Sequence, residues 1–130
     1  MKRLLTTLVI LTGLIGSARA VWADAEDNFH KGYAAYKAGN KVEAVKWYRK
    51  AAEQGVAQAQ ADLGSMYYSG EGVLQDTVAA LMWFNIAAVE GHVHAAENTD
   101  IVAKKLSSAD IVKAQKMAKR CMSSGYKDCD

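Results

Sequence analysis

Apolar and small residues recur along the middle of the chain at the spacing of a helix face. Ala44, Trp47, Tyr48, Ala51 and Ala52 stand at i, i+3, i+4, i+7 and i+8, which gathers them into one stripe. The stripe returns 36 residues later as Ala80, Trp83, Phe84, Ala87 and Ala88, and Gly55 and Ala59 are answered by Gly91 and Ala95. Bulky rings alternate with alanines in both copies. A ring enters a neighbouring helix only where that neighbour offers a small side chain, so this alternation predicts close helix–helix packing, with Trp47, Tyr48, Trp83 and Phe84 as core residues. Gly55 and Gly91 predict helix ends, because the left-handed conformation that closes a helix is cheapest for glycine. Self-similarity at a fixed period points to stacked copies of one helical hairpin.

Read in order, the pattern predicts helices over 24–38, 41–54 and 57–69. A fourth follows from Asp76 as N-cap to Glu90, and a fifth spans 94–106. A last helix of about fifteen residues is capped by Ser107, with Asp110 three positions on. No alternating strand pattern appears, and the 130 residues include no proline, so the expectation is all-α.

The run Ala59, Leu63, Gly64, Tyr67, Gly70, Gly72, Val73, Asp76, Ala80, Trp83, Ala87, Ala88, Gly91 and Ala95 resembles the Sel1-like repeat, a relative of the tetratricopeptide repeat with a longer, glycine-bearing turn. Residues 29–59 resemble a shorter copy through Gly32, Tyr36, Gly39, Ala44, Tyr48 and Ala51, without the Gly-x-Gly-Val turn. Tyr36 to Ala44 spans eight positions where Tyr68 to Ala80 spans twelve. The resemblance implies a short right-handed α-solenoid of antiparallel helical hairpins. Repeat one covers about 24–55 and repeat two about 56–91. A degenerate capping hairpin over about 92–124 covers the end of the stack, and 125–130 form a tail.

Lys2 and Arg3, the uncharged run over 4–16 and the small residues after it have the layout of a secretory signal peptide over 1–23. Cleavage after Ala20 or after Ala23 fits; the second starts the mature chain with acids that favour a helix N-terminus. An uncleaved anchor would require roughly 20 apolar residues, more than this run offers. With sixteen Lys and Arg against fourteen Asp and Glu the chain is +2, and loss of Lys2, Arg3 and Arg19 turns this to −1. No cationic excess is left to drive phosphate binding, so nucleic acid is not an expected partner. The expected location is periplasmic or secreted, with no stable membrane anchor after cleavage.

Two cysteines near the end of an exported chain favour a Cys121–Cys129 disulfide. Closing so short a loop contributes about 2–3 kcal/mol. Their spacing fits neither a Cys-x-x-Cys redox pair nor a zinc site. His92 and His94 at i, i+2 point to different helix faces and, like His30, read as solvated residues, so neither metal nor cofactor is expected.

The resemblance also raises an enzymatic alternative, since some cysteine-rich exported relatives have been associated with penicillin binding and hydrolysis. Ser124-Gly125-Tyr126-Lys127 spells Ser-x-x-Lys, but Ser-Asp-Asn and Lys-Thr-Gly partners are absent and neither repeat carries a cysteine pair. The expected function is therefore non-enzymatic: an adaptor binding a peptide or protein on its concave face. By similarity, that wall is lined by Tyr33, Lys37, Gln58, Ser65, Tyr68 and Ser69. Self-association into a homodimer through an uncapped end of so short a stack is the structural alternative.

Overall fold

A computed structural model describes the backbone of residues 2–130 and the side chains of residues 18–130. Six helices and no strand occur among the described residues: α1 (Lys2–Lys37), α2 (Lys41–Glu53), α3 (Ala57–Ser69), α4 (Thr77–Val89), α5 (Val93–Ala103) and α6 (Ser108–Ser123). The fold is an all-α solenoid of helical repeats, as expected. The helix expected from Asp24 is the last part of a longer one, since no proline interrupts this stretch and its alanines favour continuation. The signal peptide expected over 1–23 lies largely outside the residues whose side chains are described. At its end Val21 and Trp22 are exposed, and Ala25 is the first buried residue described. No helix among the described residues is long and apolar enough to cross a membrane.

Four of the helices, α2, α4, α5 and α6, start where a side chain accepts an orphan backbone N–H, whereas Val56 before α3 makes no such bond. Asp76 accepts from the Ala79 N–H at 2.9 Å and Ser107 from the Asp110 N–H at 3.1 Å, both as the spacing predicts. Asn40 does the same for Glu43, and His92, through Nδ1, for Ala95 at 3.1 Å. His92 is thus a cap and not the solvated turn residue expected from its spacing. Its capping role moves the start of α5 to Val93.

The ring-to-alanine alternation is realised within each hairpin by a glycine. The ring of Tyr48 lies where a side chain at Gly32 would be, with Cδ1 2.6 Å from the position of a Cβ there, and Phe84 approaches Gly64 in the same way at 3.0 Å. One glycine on the first helix of each pair thus seats one ring from the second. α4 is the centre of the structure and packs against α3, α5 and α6. It is buried nearly all round, as a helix enclosed on several sides must be. Met82, Trp83 and Ile86 join a cluster with α2, α3 and α6, while Ala80, Leu81, Phe84 and Ala87 join a second with Ala95, Val102 and Ala114.

Trp47 departs from the expected core. Trp83 is 1% exposed and belongs to the cluster that includes Ala118 and Cys121 of α6. Trp47 is only half-buried: its Nε1 donates to Glu43 at 3.0 Å, and the ammonium groups of Lys31 and Lys50 lie 4.7 and 4.5 Å from its ring centroid. The sequence positions are equivalent but their surroundings are not. Trp83 shares its cluster with residues of both α2 and α6, whereas Trp47 meets Lys31 of α1 and Glu43 and Lys50 of its own helix.

The glycine-bearing turn joins the two repeats. Gly70 closes α3 in the left-handed conformation and Gly72 follows at φ +69°. Gly72 lies so close to the Lys41 carbonyl that a Cβ would stand 2.3 Å from its oxygen. A Lys41–Glu71 ion pair at 3.6 Å adds to the contact.

The tail closes the other side. Cys121 and Cys129 sulfurs stand at bonding distance with Cα atoms 4.4 Å apart. Beyond the expected return to α6, the tail reaches further. Tyr126 donates to the Glu90 carboxylate, and Asp130 meets Arg49 of α2 at 3.3 Å.

Candidate ligand groove

The first helix of each pair presents one side to a common groove of about 830 Å³. α1 contributes Phe29, Tyr33 and Tyr36 at i, i+4 and i+7, and α3 contributes Gln58, Asp62, Ser65 and Ser69 at i, i+4, i+7 and i+11. Both spacings keep these residues on one helix face. Tyr68 stands beside them, Asn98 and Ile101 of α5 close the far wall, and Tyr48 and Phe84 from the second helices form the floor.

Of the six residues expected to line the wall, Tyr33, Gln58, Ser65, Tyr68 and Ser69 are brought together here and Lys37 is not. Lys37 is exposed in the last turn of α1, one turn beyond Tyr33. The single cation expected in the wall is therefore absent from it. In its place stands Asp62, which the sequence reading missed, although Gln58, Asp62, Ser65 and Ser69 form one continuous stripe.

Asp62 is held by a polar relay. Gln58 Nε2 donates to its Oδ1 at 3.0 Å, and Gln58 Oε1 lies 3.0 Å from His92 Nε2. Because His92 Nδ1 accepts the Ala95 N–H, the imidazole proton sits on Nε2 and the ring donates to Gln58. Burial raises the Asp62 pKa; the Gln58 hydrogen bond and the nearby His92 lower it by less. Tyr48 beneath it is pushed well above the ordinary phenol range, first by burial, then by the Asp62 charge.

A stability prediction follows from that direction. A carboxyl whose folded pKa lies above its unfolded value disfavours folding in its charged form. The penalty is complete above the folded pKa and relieved below the unfolded value of about 3.9. Asp62→Asn keeps an acceptor for Gln58 and removes the charge, so the variant should melt above the parent at pH 7. The difference should close on acidification through the carboxylate range. Thermal melts by circular dichroism over that range check this, and a variant melting below the parent at pH 7 contradicts it.

The aromatic groups at the groove edge already hold cations. Lys41 Nζ lies 3.1 Å from the Tyr36 ring centroid while paired with Glu71, and Lys105 Nζ lies 5.1 Å from the Tyr68 ring centroid and donates to its hydroxyl.

Ser124 of the Ser-x-x-Lys run lies at the end of α6, not at a helix start. Its hydroxyl donates to the Cys121 carbonyl at 2.8 Å and accepts from the Lys127 and Asp128 N–H groups at 3.2 and 2.9 Å. It shapes the tail.

Two proteins named exopolysaccharide production negative regulator are similar to this chain. That of Rhizobium leguminosarum bv. viciae is 39% identical over 82 residues, covering 63% of this chain and 31% of the relative. That of Rhizobium meliloti (strain 1021) is 36% identical over 80 residues, covering 62% and 30%. The chain thus spans about a third of the length of these curated relatives. Among solved structures, it is similar to c5321, described as a protective antigen present in uropathogenic Escherichia coli strains displaying an SLR fold. The TM-score is 0.73 and the identity 30%, covering 82% of this chain and 25% of that one. The Sel1 repeat profile matches residues 24–56 and 57–92, more than half of the chain, on the hairpins whose rings, alanines and turn glycines are described above, and the chain belongs to the Sel1 repeat family.

Proposed function

We propose that this domain is a non-enzymatic adaptor of the cell envelope, holding a segment of a partner protein in the groove between α1, α3 and α5. The observation that carries the reading is the lining itself: Tyr33 and Tyr68 stand at an open edge among Gln58, Ser65 and Ser69, with further rings beneath. Tyrosine combines apolar area and a hydroxyl with few rotatable bonds, which suits a recognition surface. Tyr33 is 51% exposed in the free domain, so its apolar face is available for burial by a partner.

Export through the expected leader and oxidation of Cys121 with Cys129 are part of the same proposal. Such a domain acts by occupancy, not turnover, and the names of the rhizobial relatives favour a regulatory output. The engagement of the Ser124 hydroxyl with three backbone groups supports the non-enzymatic reading.

The test is capture from a detergent-solubilised envelope extract by the immobilised protein, with quantitative mass spectrometry of what is retained. Tyr33→Ala and Tyr68→Ala should each lower recovery of the specific partner by about tenfold, the effect of losing roughly 1.4 kcal/mol. Circular dichroism should remain unchanged. Equal recovery by the parent and both variants overturns the proposal.

A further inference from the structure

We infer that the groove selects a basic residue: a lysine or arginine side chain of the partner segment, its cation on the Asp62 carboxylate and its stem against the tyrosine rings. The inference rests on the proposed peptide-binding reading and gives it a chemistry. The groove lining contains two carboxylates, Asp62 and Glu71, several tyrosine and phenylalanine rings, and no lysine, arginine or histidine. Glu71 is already neutralised by Lys41. Asp62 has no ion-pair partner among the described residues. Its Oδ1 accepts from Gln58, and its other oxygen accepts no hydrogen bond from a described residue.

A partly buried carboxylate without a cation is an uncommon arrangement, since desolvating a charge is costly unless something compensates it. Here the relay from His92 through Gln58 fixes the carboxylate in place from one side and leaves the other side to the groove. The domain shows the complementary geometry in its own structure: at the groove edge Lys41 is held between the Tyr36 ring and the Glu71 carboxylate. Tyr68 already holds Lys105, but Asp62 with Tyr33 and Tyr48 offers the same pair of groups with the cation missing. A cation between a ring face and a carboxylate gains from both, and more where water is partly excluded.

The experiment is selection of a phage-displayed random dodecapeptide library on the immobilised parent protein, Asp62→Asn, Tyr33→Ala and Tyr68→Ala in parallel. A selected peptide is then titrated by fluorescence polarisation, with each basic residue replaced by norleucine in turn. Binders to the parent should be enriched in lysine or arginine at one position, and Asp62→Asn should erase the enrichment. Norleucine at that position should weaken binding to the parent by about tenfold and leave binding to Asp62→Asn nearly unchanged, the signature of a direct pair in a double-mutant cycle. The norleucine arm uses the parent protein alone and so stands even if a variant folds poorly. Binders that need Tyr33 and Tyr68 but show no basic preference, or keep it in Asp62→Asn, overturn this inference and leave the peptide-binding reading in place. Selection that yields no binder, or only binders indifferent to both tyrosines, overturns the two together.

Discussion

Trp83→Ala should lower the stability of this domain by about 3–5 kcal/mol, whereas Trp47→Ala should cost roughly 1 kcal/mol or less. The two tryptophans hold equivalent places in the repeat, so any estimate from sequence alone would assign them similar losses. Trp83 is 1% exposed, and its removal leaves a void bordered by α2, α3 and α6 that none of them can collapse to fill. Trp47 contributes a hydrogen bond to Glu43 and a ring face shared by Lys31 and Lys50, all of which water can replace. Since a domain of this size is stabilised by about 5–15 kcal/mol in total, the Trp83 variant should be measurably unfolded at physiological temperature. Urea titration followed by circular dichroism at 222 nm separates the two. Equal midpoints would mean that position in the stack has no bearing on what each ring contributes.

The same contrast shows where the sequence was legible. Ring-and-alanine spacing, the Asp76 and Ser107 caps and the Gly55 and Gly91 ends are local signals, and each has a local counterpart in the structure. Burial of Trp47 depends on what lies beside α2, and a repeat pattern states equivalence without saying which copy stands at an end. Asp62 was missed for a related reason. The wall expected by similarity to the repeat contains Gln58, Ser65 and Ser69 but not the acid that shares their stripe. Lys37 belongs to the wall expected by similarity, but it is exposed at the end of α1, and the groove lining on that helix stops at Tyr36. The His92 cap was hidden by its rarity, since histidine is not among the side chains that usually begin a helix. Its second nitrogen then ties the start of α5 to α3 through Gln58, a contact between residues 34 apart that no local spacing predicts.

Gly72→Ala should be as damaging as the loss of the buried tryptophan, for a reason that lies in the backbone. The residue sits at φ +69°, where a side chain costs about 1–2 kcal/mol for the conformation alone. Its Cβ would also stand 2.3 Å from the Lys41 carbonyl oxygen and 2.9 Å from the Val42 nitrogen, both backbone atoms at the start of α2 that no rotamer change can move. The turn must therefore withdraw from α2, loosening the Lys41–Glu71 pair and the contact that seats repeat two on repeat one. We expect a total loss of roughly 3 kcal/mol or more, which for a domain of this length lowers the melting temperature by about 15 °C. Gly91→Ala is the control: at φ +91° with no atom within 4 Å of its Cβ, it bears the conformational cost without the collision. A differential scanning comparison should place Gly91→Ala within about 8 °C of the parent and Gly72→Ala well below both. Matching melting temperatures for the two variants would show that the approach of the turn to α2 contributes nothing, and that the glycine-bearing turn serves only to reverse the chain. If the contact holds the repeats together, Gly72→Ala protein below its melting temperature should also bind groove ligands more weakly, because Glu71, next to the substitution, lines the groove.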